Sequence, residues 1–134
     1  MNKTLKEIEK FHGHLGPFAV IGYKMGLIAC EKLGSDPFKK KVVVYTGTTP
    51  PISCIVDGIQ LGSCCTLGKG NIETIDEKKP KAEFFLKDSP DEKITISLKD
   101  EIKKDIDTNA TKDNLIFYAE KIWEKNNDEL FDFL

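Results

Sequence analysis

The sequence predicts a single α+β domain with an α-β-α-β-β-β core, a mixed sheet and C-terminal helices. Three observations carry this. Apolar residues recur at helical spacing before Gly34 and again after Thr111. β-branched and aromatic runs of strand length cluster between Lys41 and Leu98. A helical segment separates the first strand from the second, the connection that a parallel pair with a right-handed crossover needs.

The elements follow in order. Lys3–Phe11 reads as a short amphipathic helix with Leu5, Ile8 and Phe11 on one face. Pro17 suits the first turn of a longer helix, where its missing N–H is not needed, and Gly34 supplies the stop after Leu33. Lys24, Glu31 and Lys32 are the only charges in that helix, so most of its circumference should be buried. Gly22 and Gly26 lie one turn apart and would let another backbone approach closely. The VVVY run within Lys41–Gly47 is a buried strand. Pro50 and Pro51 make Thr48–Ile52 a loop, after which Ser53 is placed to cap a helix through Leu61. Gly62–Gly70 is a glycine-bearing loop. Asn71–Ile75, Lys81–Leu86 and Lys93–Leu98 are strands divided by the turn segments DEKKP and KDSPDE. Ser97–Asp107 carries a short helix, and Thr111 is placed to cap another from Lys112 to Lys125. The terminal DELFDFL mixes acidic and large apolar residues, as a docking tail or an interface between copies would.

The 134 residues suit one modest core, and 40% hydrophobic with 31% charged residues suits a soluble domain. A net charge of -2 gives no electrostatic footprint for nucleic acid. Every one of the 20 basic residues is Lys, so an anionic ligand would rely on Lys, backbone N–H groups or a metal rather than the guanidinium fork. No apolar run approaches the ~18 residues of a membrane helix, and none resembles a signal peptide. A cytoplasmic location is expected, and with it cysteines that serve as thiols, metal ligands or catalytic groups.

The chemistry-bearing residues are concentrated. Both histidines lie in FHGHLGPF (Phe11–Phe18), and three of the four cysteines lie in Ser53–Ile72. Imidazole and thiolate are ligands for zinc and related metals. His12 and His14 can share an ion only if a turn at Gly13 brings them together. Cys64 and Cys65, being adjacent, would point to opposite sides if extended, so one of them joins a given site. The simplest arrangement is one His, Cys54 and one of the paired cysteines, with a position left open. Cys30, inside the long helix, reads as a core residue. A competing reading makes Cys54 a reactive thiol at a helix N-terminus with His14 as base. A phosphate loop fits poorly, because five residues rather than four separate Gly62 from Gly68 and no hydroxyl follows Lys69.

Taken in series, these motifs resemble the E-subunit family of formylmethanofuran dehydrogenase. The resemblance rests on His12-Gly13-His14 with Pro17 and on Gly22-Tyr23-Lys24-Met25-Gly26. It continues in Cys54-Ile55-Val56-Asp57-Gly58-Ile59-Gln60 and in Cys65-Thr66-Leu67-Gly68-Lys69-Gly70-Asn71. It covers Phe11 to Leu98. It implies an α-β-α-β-β-β core arranged like one domain of glyceraldehyde-3-phosphate dehydrogenase, a tendency to form homodimers, and a metal held by His14, Cys54 and Cys65. Two departures stand out. Gly16 occupies a position that is Cys in many relatives, and no cysteine-rich zinc module follows the core, so a core-only member is expected.

The functional expectation is a metal-binding accessory or stand-alone domain of one-carbon (formylmethanofuran) or molybdenum/tungsten enzyme metabolism, the setting of methanogenesis. Zinc or another divalent transition metal is the expected cofactor. Gln60, Lys69 and Asn71 would line the adjoining cleft. If the site is catalytic, Asp57 or His12 would carry protons for metal-activated water. Expected partners are a second copy or formylmethanofuran dehydrogenase subunits. The cysteines are too few and wrongly spaced for an iron–sulfur cluster, so the redox step itself belongs elsewhere. Two alternatives stand beside this: a non-catalytic dimerisation or complex-assembly module, and a metal-free Cys–His thiol enzyme.

Overall fold

A computed structural model describes residues 1–134. Six helices and five strands succeed one another as α1 (Lys3–His12), α2 (Pro17–Leu33), β1 (Lys40–Val44), α3 (Cys54–Ser63), β2 (Ile72–Thr74), β3 (Lys81–Leu86), β4 (Lys93–Leu98), α4 (Asp100–Asn109), α5 (Leu115–Glu124), α6 (Asn127–Leu130) and β5 (Phe131–Phe133). The sheet order is β2-β1-β3-β4-β5. β1 and β2 are parallel, joined through α3, and the other pairings are antiparallel. The mixed α+β architecture expected from the sequence is therefore present.

Alternation along the strands decides where the core lies. Val42 and Val44 of β1, Ala82 and Phe84 of β3 and Ile96 of β4 are buried on one face, and α2 packs there. Lys41, Glu83 and Thr95 occupy the opposite parity, as in an antiparallel sheet with one wetter face. Lys40 is buried at the start of β1. Its Nζ donates to the carbonyls of Gly34 (2.7 Å) and Asp36 (3.2 Å), tying the strand to the end of α2. Lys24 does the same for α5, donating to the carbonyls of Trp123 (2.8 Å) and Lys125 (2.5 Å), where a cation suits a helix C-terminus. Burial pushes the Lys24 ammonium below its ordinary pKa.

The glycines of α2 and α3 set the rest. A Cβ on Gly22 would lie 2.0 Å from the Ile55 carbonyl oxygen, and one on Gly58 would lie 2.0 Å from that of Ala19. Farther along, Gly26 faces the backbone of Gly62 and Ser63, and Gly62 faces that of Tyr23. The contacting positions rise together on both helices. α2 and α3 therefore run side by side in the same direction with backbones touching, and both N-termini come to one end.

Several local expectations are corrected. Phe11 is 53% exposed, and the inward positions of α1 are Leu5, Ile8 and then His12, because the buried stripe steps by four at its end. Ser53 makes no side-chain cap. The N–H groups of Cys54 and Ile55 are already bonded to the carbonyls of Pro51 and Ile52, so the turn before α3 leaves the hydroxyl no donor to satisfy. α5 begins at Leu115 rather than Lys112. Asn114 closes the preceding turn by accepting from the Thr111 N–H, and Thr111 accepts from Asp113. Apart from these corrections, the terminal segment docks on the sheet as a capped turn followed by an edge strand, with Phe131 paired to Leu98 and Leu130 and Phe131 buried.

Candidate metal centre

At the shared end of the two parallel helices, side chains from three segments converge. His12 is the last residue of α1. Gly13 follows at φ +96°, a left-handed conformation that glycine adopts without strain, and turns the chain so that His14 returns toward His12. The two imidazole centroids are 4.6 Å apart. Cys54 opens α3, held beside the start of α2 by the glycine contacts. The ligand atoms of His12, His14 and Cys54 all lie within 4.8 Å of one another. A tetrahedral zinc separates nitrogen and sulfur ligands by about 3.3–3.6 Å. Movements of about an ångström, available to the exposed His14, therefore close the set.

The orientation of His12 is fixed. Asp57, one turn into α3, accepts from His12 Nδ1 at 2.6 Å. A carboxylate only accepts, so in the neutral ring the proton sits on Nδ1 and Nε2 presents its lone pair. That Nε2 is buried with no hydrogen-bond partner. A carboxylate behind a histidine whose other nitrogen is bare is the arrangement metal-ligating histidines adopt. The Cys54 thiol is pushed up from its ordinary pKa, mainly by burial and then by the nearby Asp57 carboxylate, against a smaller opposing backbone hydrogen bond. Burial therefore outweighs the helix N-terminus, the reverse of what a free nucleophilic thiolate requires.

The other expected site residues lie in different roles. Cys65 is fully buried in the core, its Sγ 3.8 Å from the Lys40 carbonyl, and is not among the converging ligand atoms. The turn after α3 drives it under β1, so Cys65 does not converge with His14 and Cys54 as expected, and His12 stands beside them. Gln60, Lys69 and Asn71 do not line the cavity beside the cluster. Gln60 accepts from the Leu67 N–H (2.9 Å). Asn71, fully buried, accepts from the Thr66 N–H (2.8 Å) and donates to the Pro37 carbonyl (2.9 Å). Lys69 donates to the Thr66 hydroxyl (2.8 Å). All three hold the glycine loop together.

Two depressions flank the cluster, and His12 and Cys54 line both. The smaller is polar and includes Asp57, Ser53 and Thr48. The other holds about 310 Å³. Pro17, Phe18 and Ala19 of α2 and Pro51 form its near wall, and Ile106, Ala110, Thr111, Lys112 and Leu115 from the α4–α5 corner form its far wall. Sequence reasoning missed that corner. Its only signal was the pair Ile106 and Leu115, apolar positions at facing helix ends.

The fold and site together define an α+β domain that presents a His–His–Cys cluster at the common N-terminal end of two parallel helices. The model of the family described as "FmdE, Molybdenum formylmethanofuran dehydrogenase operon" matches residues 11–132, and the chain belongs to that family. A probable S-adenosyl-L-methionine-binding protein of Archaeoglobus fulgidus is 32% identical over 78 residues, which are 57% of this chain. The match spans 21% of that relative's length. The crystal structure of an FmdE-like protein of the tungsten formylmethanofuran dehydrogenase type, from Syntrophus aciditrophicus, superposes with a TM-score of 0.68. At 15% identity, covering 98% of this chain and 69% of the other, it shares the fold. No helix is long and apolar enough to cross a membrane.

Proposed function

We propose that this chain holds a divalent transition metal, with zinc the best match to two imidazoles and a thiolate, through His12, His14 and Cys54. It would serve as an accessory or stand-alone domain of formylmethanofuran or molybdenum/tungsten enzyme metabolism, in the cytoplasm, with a second copy or the dehydrogenase subunits as partners. One observation carries the metal reading: the buried His12 Nε2 has no partner while Asp57 fixes the opposite nitrogen. A buried lone pair left bare costs about 1–3 kcal/mol, which a bound cation would offset. The link to the dehydrogenase rests on family membership.

Three protein ligands leave one tetrahedral position, and a metal bound there supplies Lewis-acid chemistry to water or a substrate oxygen. The chain's own contribution is positional. Asp57 holds the His12 ring in one tautomer. Its side chain is 39% exposed, so it can pass protons to solvent. Phe18, Ile106 and Leu115 limit water on the cavity side. The raised pKa of Cys54 argues against the metal-free thiol enzyme.

The test is metal analysis of protein purified without a metal column, followed by cobalt substitution. Near-stoichiometric binding is expected, with a thiolate-to-cobalt absorption that Cys54→Ser removes and Cys65→Ala keeps. Asp57→Ala should weaken binding about 10–100-fold, the usual effect of losing the carboxylate behind a ligating histidine. Negligible occupancy after zinc and cobalt supplementation, or a cobalt spectrum that needs Cys65 and not Cys54, refutes the assignment.

A further inference from the structure

The cavity on the far side of the cluster differs from the polar depression where Asp57 reaches solvent. Its volume, about 310 Å³, is the room of roughly ten liquid waters, enough for about ten non-hydrogen atoms. This lies at the lower end of ligand pockets, below what a dinucleotide-sized cofactor needs. Its walls are largely apolar. Phe18 is 4% and Ile106 4% exposed, and Ala19 is fully packed, so these walls are fixed by the core. Two charged side chains stand at that corner: Asp107, engaged by Lys103 at 2.5 Å, and the exposed Lys112. His12, His14 and Cys54 sit at one end, and the α4–α5 corner closes the other.

We propose that this cavity is the substrate subsite of the cluster. Its ligand would be a small molecule with a metal-coordinating oxygen head and an apolar body, and the α4–α5 corner, Ala110 above all, would set the length of that body. The inference rests on the metal reading. It adds the ligand class and the residue that measures it. Ala110 ends α4 in extended conformation (φ -75°, ψ 134°), which any L-residue adopts, so its side chain can be enlarged without backbone strain.

A series of straight-chain alkyl hydroxamates, titrated into the cobalt-loaded full chain and read by the cobalt spectrum, tests this. Affinity should rise about fourfold per added methylene, the worth of burying one. It should level off once the ligand exceeds about ten non-hydrogen atoms. Ala110→Phe should hold the long hydroxamates to the affinity of acetohydroxamate while cobalt uptake and acetohydroxamate affinity stay as in the parent. Ala110→Leu should shorten the preferred chain, and an unchanged thermal midpoint separates either effect from misfolding. Normal cobalt uptake with a flat chain-length series, or a series that Ala110→Phe and Ala110→Leu leave unaltered, overturns the inference alone. Failure to take up cobalt overturns the metal reading, and this inference with it.

Discussion

Gly58→Ala pits two effects of known sign against each other. Helix propensity favours the substitution by about 1 kcal/mol, since glycine is the poorer helix former. Packing opposes it. The new Cβ would lie 2.0 Å from the Ala19 carbonyl oxygen and 2.5 Å from the Tyr23 nitrogen. Both obstacles are backbone, so no rotamer change relieves them. Restoring ordinary contact, 3.4 Å or more, moves α3 about 1.4 Å from α2. A gap of even 0.5–1 Å forfeits a quarter to a half of each dispersion well along the interface. Overpacking of cores costs about 1–3 kcal/mol when side chains can yield, and here none can. The net expectation is a loss of about 3 kcal/mol or more, which at a urea slope of about 1–3 kcal/mol/M lowers the midpoint by roughly 1–3 M. The same movement carries Cys54 away from the histidines, so zinc stoichiometry should fall in the fraction that still folds. Urea unfolding by circular dichroism is the assay. Gly68→Ala is the control, because nothing lies within 4 Å of its Cβ position, and it should stay within about 0.5 kcal/mol of the parent. A Gly58→Ala protein as stable as the parent, or more stable by the propensity gain, would refute the backbone-contact argument and the account of how the site is positioned.

The remaining predictions concern residues that lie outside the cluster. Asn71→Ala strands the Thr66 N–H and the Pro37 carbonyl, so stability should drop by about 2–4 kcal/mol in urea unfolding with zinc stoichiometry unchanged. Loss of zinc without loss of stability would restore Asn71 to the binding site. Burial holds the Cys65 thiol above its ordinary pKa of 9.0, so the folded state keeps that proton longer than the unfolded chain. The associated stability is complete below pH 9.0 and is lost as pH rises through the folded-state value. The stability gap between the parent and Cys65→Ala should therefore narrow above pH 9.0, and urea midpoints from pH 7 to above pH 10 that keep a constant gap would contradict the burial argument.

Much of the fold was legible because it rests on periodicity. The strands Lys81–Leu86 and Lys93–Leu98 and the helix Pro17–Leu33 coincide with their expected ranges, and the parallel β1–β2 pair follows from the helix between them. What failed was local and depended on partners that spacing does not reveal. Ser53 has capping chemistry, yet a preceding turn had already used the donors. Phe11 is the more apolar neighbour of His12, yet the buried stripe stepped past it. Cys65 belongs to the most motif-like segment, yet the chain leaving α3 carries it into the core. His12, to which the sequence allowed either a share of an ion with His14 or a proton carrier's part, lies among the converging ligand atoms. Ligand candidates were thus legible by type and neighbourhood. Which thiol and which imidazole meet is a tertiary matter, settled by the parallel approach of α2 and α3.

That approach also poses an electrostatic problem whose solution explains Asp57. Two helix N-termini, each equivalent to roughly half a positive charge, point toward the cluster, a setting that attracts anions and repels a dication. Two imidazoles add no compensating charge. The Cys54 thiolate brings one negative charge and the Asp57 carboxylate a second, together enough to neutralise a divalent ion. Without the ion, the same two anions face each other across a part-buried space, and the Asp57 charge is one of the causes that keep the Cys54 thiol protonated. Asp57 therefore does more than hold a ring in place. With a divalent ion bound as proposed, it would leave the filled site nearly neutral, while in the empty site it is one of the groups that disfavour the Cys54 thiolate.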